Sequence, residues 1–374
     1  MAHVLTGMLI DRFCDSRHYP WCPLCTQNFY WWLSRLVCAT QVTKNEPFFR
    51  QRSTMEMDGQ RSTHGESYAY TSPYWAEFYD MWVEDIVGPT ALAKDDDFFF
   101  SLLSPFLSKD SYMREPLRVV DMATGTGRVI RGIVRKMESR AQKTTPLEDQ
   151  ENIEIWGIDH SQTMIERAKS LLKADLQSST TVVWRNTTAA NFVDENPKLQ
   201  DAVDLIIFAA GSMGHLTAPG ERKRFLQQVV KALRKPGHSR AHRSVAAISI
   251  LKEDGGLKST GQDIPDLQVS HTTEMRKTSR RWPHLEYHKS HMTTVRNEEG
   301  SVDSFKLTTV ETATGKLISQ ETYSWSLKLF NEDEWEKELA DCGLSISQKI
   351  ETESKMASET WYLLYLAEEK NFVL

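Results

Sequence analysis

The sequence predicts an α/β fold: a doubly wound, seven-stranded, mostly parallel sheet that carries an antiparallel β insert. Short apolar runs at 117–122, 153–158, 181–184, 204–210 and 244–251 alternate with amphipathic helical patterns. Buried parallel strands and their crossover helices read this way. Between about residues 265 and 330 the apolar period switches from helical to alternating, which marks the insert.

Residues 1–66 mix Cys, Trp and Phe without a sustained period and then turn polar, so they are expected to form a poorly ordered extension before a single domain at 67–374. Within the extension, Asn28 to Val37 suits a short amphipathic helix. The domain opens with SPYWAEFYDMWVEDIV, whose Tyr74, Phe78, Tyr79 and Trp82 are spaced to share one helix face. DDDFFFSLLSPFL, at 95–107, places acids before apolar residues and reads as a helix start. Helices are expected again at 129–137 and 162–172, with a polar surface insertion at 138–152. In APGERKRFLQQVVKALRKPG, Pro219 suits a first turn, Phe225, Val229, Val230 and Leu233 form the buried stripe, and Gly237 ends the helix. HKSHMTTVRN, SFKLTTVETA and LISQETYSWSLKLF, parted by EEG and TGK, supply the insert's strands. Asn331 caps a helix that stops at Gly343, and strands near 345–350 and 361–366 complete the sheet.

Composition narrows the function. Lys plus Arg number 45 against 51 Asp plus Glu, a formal charge of -6, which disfavours a nucleic-acid binder. The basic run from Arg234 to Arg243 reads as a solvated loop. The apolar stretch at the N-terminus is broken by Asp11 and Arg12, so no secretory leader or membrane partner is expected and the cytoplasm is the anticipated compartment. Cys14, His18, Cys22 and Cys25 contain one CxxC, and His284, His288 and His291 are spaced four and three apart. The first set reads as free thiols and the second lies in a strand pattern, so no metal is expected.

The chemistry concentrates in VVDMATGTGR, residues 119–128. Asp121 ends a strand, and Gly125 and Gly127 open the next helix, where a side chain would obstruct a ligand lying on the backbone. Dinucleotide enzymes use a similar turn. In IWGIDHSQTMIERAK a second strand ends at Asp159, a carboxylate suited to a ribose diol. Ser161 is placed to cap the following helix, and Met164 to lie against an adenine face.

DMATGTGR followed by GIDHSQTM resembles motif I and the post-I motif of class I S-adenosylmethionine-dependent methyltransferases, over roughly residues 72–370. More narrowly the chain is similar to small-molecule N- and O-methyltransferases, including fungal secondary-metabolite enzymes. The resemblance implies a Rossmann-like fold, S-adenosylmethionine as cofactor and a small-molecule methyl acceptor. It also implies that Asp121, Ala123, Thr124, Gly125 and Gly127 surround the methionine portion and that Asp159 holds the ribose. His160, Met164, Asn186 and Thr187 would then lie around the adenine. Ala123 stands where relatives have glycine, and Asn186 where many have an acid; its amide oxygen still accepts a hydrogen bond.

For the acceptor side, His215 in GSMGHLT follows the fourth strand at the edge where such sheets bind ligands. It suits a general base, or alternatively a residue that fixes the loop. Tyr79 suits a place near the sulfonium, or plain packing. A protein methyltransferase and a non-catalytic S-adenosylmethionine-binding regulator are the competing functions.

Overall fold

Every residue of β1 (Leu117–Met122) but Arg118 is buried, so the strand needs cover on both faces. The computed structural model describes residues 72–107, 115–141, 153–175, 180–235, 243–252, 268–271, 274–297, 300–353 and 358–367. The expected Asn28–Val37 helix, the Cys14, His18, Cys22 and Cys25 set and Gly237 lie outside these residues.

β1 pairs in parallel with β2 (Ile153–Asp159) on one side and β4 (Leu205–Phe208) on the other. β3 (Thr181–Asn186) continues beyond β2, and β5 (Val245–Leu251) beyond β4. β13 (Ser358–Leu366) joins β5 antiparallel, and β12 (Leu344–Glu353) joins β13. The order β12-β13-β5-β4-β1-β2-β3 reverses direction at β1, so a crevice opens where the carboxyl ends of β1 and β4 part.

Helices cover both faces. α1 (Pro73–Val87) and α2 (Pro89–Leu103) precede the sheet; α3 (Arg128–Ala141) and α4 (Gln162–Asp175) follow β1 and β2. Phe99, Leu103, Ile130, Ile133 and Leu172 of α2, α3 and α4 fill one face. Phe225 and Val229 of α5 (Glu221–Ala232), with Trp335 and Leu339 of α6 (Glu332–Asp341), fill the other. Asn331 caps α6 as expected, accepting from the amides of Asp333 and Glu334.

The insert is a six-stranded antiparallel sheet of β6 (Gln268–His271), β7 (Met275–Thr278), β8 (Leu285–Lys289), β9 (Met292–Asn297), β10 (Gly300–Glu311) and β11 (Leu317–Leu327). HKSHMTTVRN forms two strands, parted at Ser290–His291, rather than one. Its inner face packs on α1 through Tyr287, Phe305, Leu307, Tyr323 and Trp325. Trp75 is completely buried there, stacked on Tyr323 at 4.7 Å. On α1 Trp75 and Phe78 are the deepest residues, while Tyr74 and Tyr79 stay half-buried.

Several boundaries differ from expectation for local reasons. Residues 95–97 do not start a helix: α2 begins at Pro89, whose fixed φ suits the first turn, and the acids sit mid-helix. There they pair with the next helix, Asp95 with Arg128 at 2.6 Å, Asp96 with Arg135 at 2.8 Å, and Asp97 with Lys136. α5 starts after Pro219 because Gly220, at φ 73°, is left-handed. It ends at Ala232 because Leu233 turns extended and bridges Val203.

That exit corrects the solvated reading of the basic run at its first residue. Arg234 is buried, held by Asp204 at 3.1 Å, Glu115 at 2.6 Å and the Ala202 carbonyl at 2.9 Å. Asp204 also accepts from the Arg118 amide at 2.9 Å, tying the lower ends of β1 and β4 to the chain after α5. Arg234→Ala would strand the Asp204 carboxylate in the interior and is expected to cost about 3–5 kcal/mol in denaturant unfolding. A loss below about 1 kcal/mol would show that the network adds nothing.

Candidate active site

The turn after β1 is built on left-handed residues. Ala123 at φ 52°, Gly125 at 54° and Gly127 at 78° carry the chain from strand to α3, with the Thr124 amide on the Ile158 carbonyl at 2.9 Å. The two glycines serve different ends. A Cβ on Gly125 would meet nothing within 4 Å, which leaves the backbone there open to a ligand. One on Gly127 would press at 3.1 Å on both Ala168 and Trp184, so this glycine lets α3 approach α4 and β3. Ala123 holds a left-handed φ that costs a side-chain-bearing residue more than glycine.

Asp159 joins the two motifs. One carboxylate oxygen accepts the Gly125 amide and the other the Ser161 amide, both at 2.8 Å. These bonds take two of the carboxylate's roughly four acceptor positions and leave two, the number a vicinal diol requires. Burial raises its pKa, opposed by His160 and by the two amides. His160 is exposed, its Nδ1 3.5 Å from the carboxylate. Ser161 caps α4 as expected, accepting from the Met164 amide at 3.3 Å. Met164 is buried in the cluster that α1 forms with the insert.

At the end of β3, Asn186 donates its amide nitrogen to the Asp159 carbonyl at 3.0 Å and is itself exposed, which leaves its oxygen to accept. Thr187 donates its backbone amide to the same carbonyl at 3.1 Å. Its hydroxyl is buried without a partner, a polar atom that a bound nucleoside can satisfy.

Asp121 accepts from the Thr124 hydroxyl at 2.5 Å. Burial pushes its pKa up to about 7, against the pull of Thr124 and Arg128. Arg128, the last residue of the glycine-rich motif, is the feature that sequence reasoning passed over. Its positive charge bears on Asp121, Tyr79 and Glu359, and its nitrogen pairs with Asp95. Its position as the first residue of a helix was the available signal.

α1 closes the crevice from above. Asp80 binds Arg167 of α4 at 2.8 Å and the Thr126 hydroxyl of the glycine-rich turn, so the helix is latched to the turn itself. Glu77, also missed, is buried and accepts from Ser279 at 2.7 Å, the Arg281 amide at 2.7 Å and Tyr287 at 2.8 Å, which latches α1 to the insert. Nothing in the helix pattern distinguished these two acids from solvated ones. Tyr79 lies between the latches. Burial raises its pKa, Arg128 lowers it, and Asp80 and Asp159 raise it further. Its ring is 6.3 Å from Trp82, which in turn is 6.3 Å from Trp325.

The fourth strand ends at Phe208, short of the expected Ala210, because Ala210 and Gly211 turn left-handed at φ 58° and 62°. A 3-10 turn over Ser212–His215 follows. His215 is exposed, with protein crowding part of its surroundings. That desolvation, with the nearby His160, pushes its pKa down to about 4 against a hydrogen bond to the Ser326 backbone. His215 thus lies near His160, and Tyr79 near Asp159 and Arg128, by the carboxyl ends of β1, β2 and β4. Among the described residues no group of three or more His, Cys, Asp or Glu converges on a point. His288 pairs with Glu286 at 2.6 Å, and His291 lies 4.0 Å from Glu274. No described helix is long and apolar enough to cross a membrane.

No protein-family model matches the chain, and no curated protein does. Solved structures do. A S-adenosylmethionine-dependent methyltransferase from Clostridium acetobutylicum ATCC 824 superposes with a TM-score of 0.51 at 15% identity, over 79% of this chain and 99% of its own. The sugar N-methyltransferase KedS8 from Streptoalloteichus sp ATCC 53650 does so with a TM-score of 0.50 at 13% identity, over 84% and 100%. The chain has the fold of class I S-adenosylmethionine-dependent methyltransferases.

Asp121 makes stability depend on pH. Its folded pKa, about 7, lies above the ordinary aspartate value of 3.8, so the folded chain holds a proton that the unfolded chain releases. Its contribution is therefore full below the lower value and is lost as pH rises through the upper one. Asp121→Asn should melt above the native protein at pH 8 and close to it at an acidic pH near the lower value. Equal melting temperatures at pH 8 would contradict the assignment.

Proposed function

We propose that this chain is a S-adenosylmethionine-dependent methyltransferase that methylates a hydroxyl or amine of a small molecule, in secondary metabolism. The observation that carries the proposal is the Asp159 carboxylate, fixed by two amides with two acceptor positions left, beside the unpartnered Thr187 hydroxyl. Asp159 takes the ribose hydroxyls. Asn186 and Thr187 take the adenine edge, and His160 borders it. The open backbone at Gly125 receives the methionine tail, with Ala123 and Thr124 beside it, Arg128 facing its carboxylate and Asp121 its ammonium.

When bound, S-adenosylmethionine supplies an electrophilic methyl on a positively charged sulfur. The protein's work is alignment, exclusion of water and handling of the acceptor's proton. Tyr79 lays an aromatic face near the positive charge, where a ring is attractive. α1 and the insert wall off solvent. His215, its pKa lowered by the protein around it and by His160, takes the proton that the acceptor loses.

Asp159→Ala should weaken S-adenosylmethionine binding at least tenfold in calorimetry, since hydrogen bonds to a charged group are worth about 1.5–3 kcal/mol. Unchanged affinity would remove the ribose site. His215→Ala should lower kcat about a hundredfold. In the native enzyme kcat should fall only as His215 protonates, toward its pKa of about 4. An acid limb near the ordinary histidine value of about 6.5 would argue against His215 as the base. Labelled methyl transfer into a metabolite extract, set beside a protein extract, tests the acceptor class; label confined to protein would overturn it.

A further inference from the structure

Beneath the loop that carries His215 lies a carboxylate that the proposed chemistry leaves unused. Glu359 stands at the start of β13, opposite Leu251 at the end of β5. It reaches the Ser249 hydroxyl and the Gly211 amide, with Arg128 and Asp95 as its charged neighbours. Ser249 is fully buried, and its oxygen accepts from the same Gly211 amide at 2.9 Å. Both groups converge on one peptide N–H.

That peptide is where the chain changes direction. Ala210 and Gly211 are consecutive left-handed residues, a conformation that an alanine holds only under constraint. Gly211 is also pressed against Leu251: a Cβ there would lie 2.6 Å from it. On the other side of the residue, the Gly211 carbonyl accepts from the Gly214 amide at 2.8 Å, and Gly214 immediately precedes His215. The Gly214 carbonyl in turn accepts from the Lys328 amide at 2.8 Å, just past the end of β11. The turn is thus gripped from the insert above and from β5 and β13 below.

We propose that Glu359 and Ser249 form a strut that fixes the Ala210–Gly211 turn and so sets the position of His215, which makes Glu359 a positioning residue for methyl transfer. The strut rests on the reading of His215 as the base. The carboxylate stands against the Ser249 hydroxyl and the Gly211 amide, that hydroxyl also lies 3.4 Å from the Phe208 carbonyl, and the constraint passes through the Gly211 carbonyl to the turn that ends in His215.

The test is the titration of His215, followed by NMR of imidazole-labelled protein. Glu359→Ala should raise its midpoint toward the ordinary histidine value by about one unit or more, because a loosened turn frees the ring from the protein crowded around it. Glu359→Gln, whose amide oxygen still accepts, should restore the native midpoint. The Glu359→Ala, Ser249→Ala double variant should shift no further than Glu359→Ala alone. A native midpoint in Glu359→Ala, with or without a lower melting temperature, would overturn the strut. Additive shifts, or a glutamine variant that behaves as the alanine one, would do the same. Should Glu359→Ala not fold, Ser249→Ala, which lacks only a hydroxyl, carries the test, and an unmoved midpoint there would be decisive against it. Calorimetry of the native protein with S-adenosylmethionine is run in parallel. Absent binding would refute the methyltransferase proposal while leaving the His215 titration to report on the strut.

Discussion

The crevice depends on the bonds between Asp159 and the amides of Gly125 and Ser161. A buried carboxylate is costly unless donors surround it, and here the donors come from the starts of two successive helices. One side chain therefore fixes the glycine-rich turn and the head of α4 in relation to each other. The desolvation that raises its pKa is opposed, but not cancelled, by His160 and those amides. Binding capacity and local order come from the same group.

Above this floor, α1 acts as a two-sided clasp. Its Asp80 reaches down to Thr126 and Arg167, and its Glu77 reaches up to three donors of the insert. Between the two acids, Trp75 and Phe78 bury their rings against the antiparallel sheet. Full burial of such a side chain is worth roughly 1.5–3 kcal/mol, so apolar packing holds the insert down while the acids fix its register. The aromatic line from Tyr79 through Trp82 to Trp325 ends one residue from Ser326, whose backbone meets His215. The acceptor-side groups are thus joined by one packed seam although they come from α1, β11 and the loop after β4.

The central strands and their motifs were legible because their signal is local. A parallel strand buried on both faces must be an unbroken apolar run, and a turn that bares its backbone must contain glycine. Asp121, Gly125 and Asp159 follow directly, as does the Asn331 cap. Boundaries were misplaced where a distant partner decides them. α5 stops at Ala232 because Leu233 finds Val203, and 95–97 sit mid-helix because they meet cations of α3. The tight packing of Gly127 against Ala168 and Trp184 was likewise invisible locally, because both partners lie far along the chain.

By itself the sequence determined the alternation of strands and helices, the β insert, and the two acids at strand tips, since each depends on residues within a few positions. Tertiary structure alone decided which polar side chains matter beyond them. Glu77, Asp80, Arg128 and Glu359 look in sequence like any solvated charge. Only the fold removes them from water and sets each against a partner far along the chain, and burial is what turns an ordinary charge into a constraint.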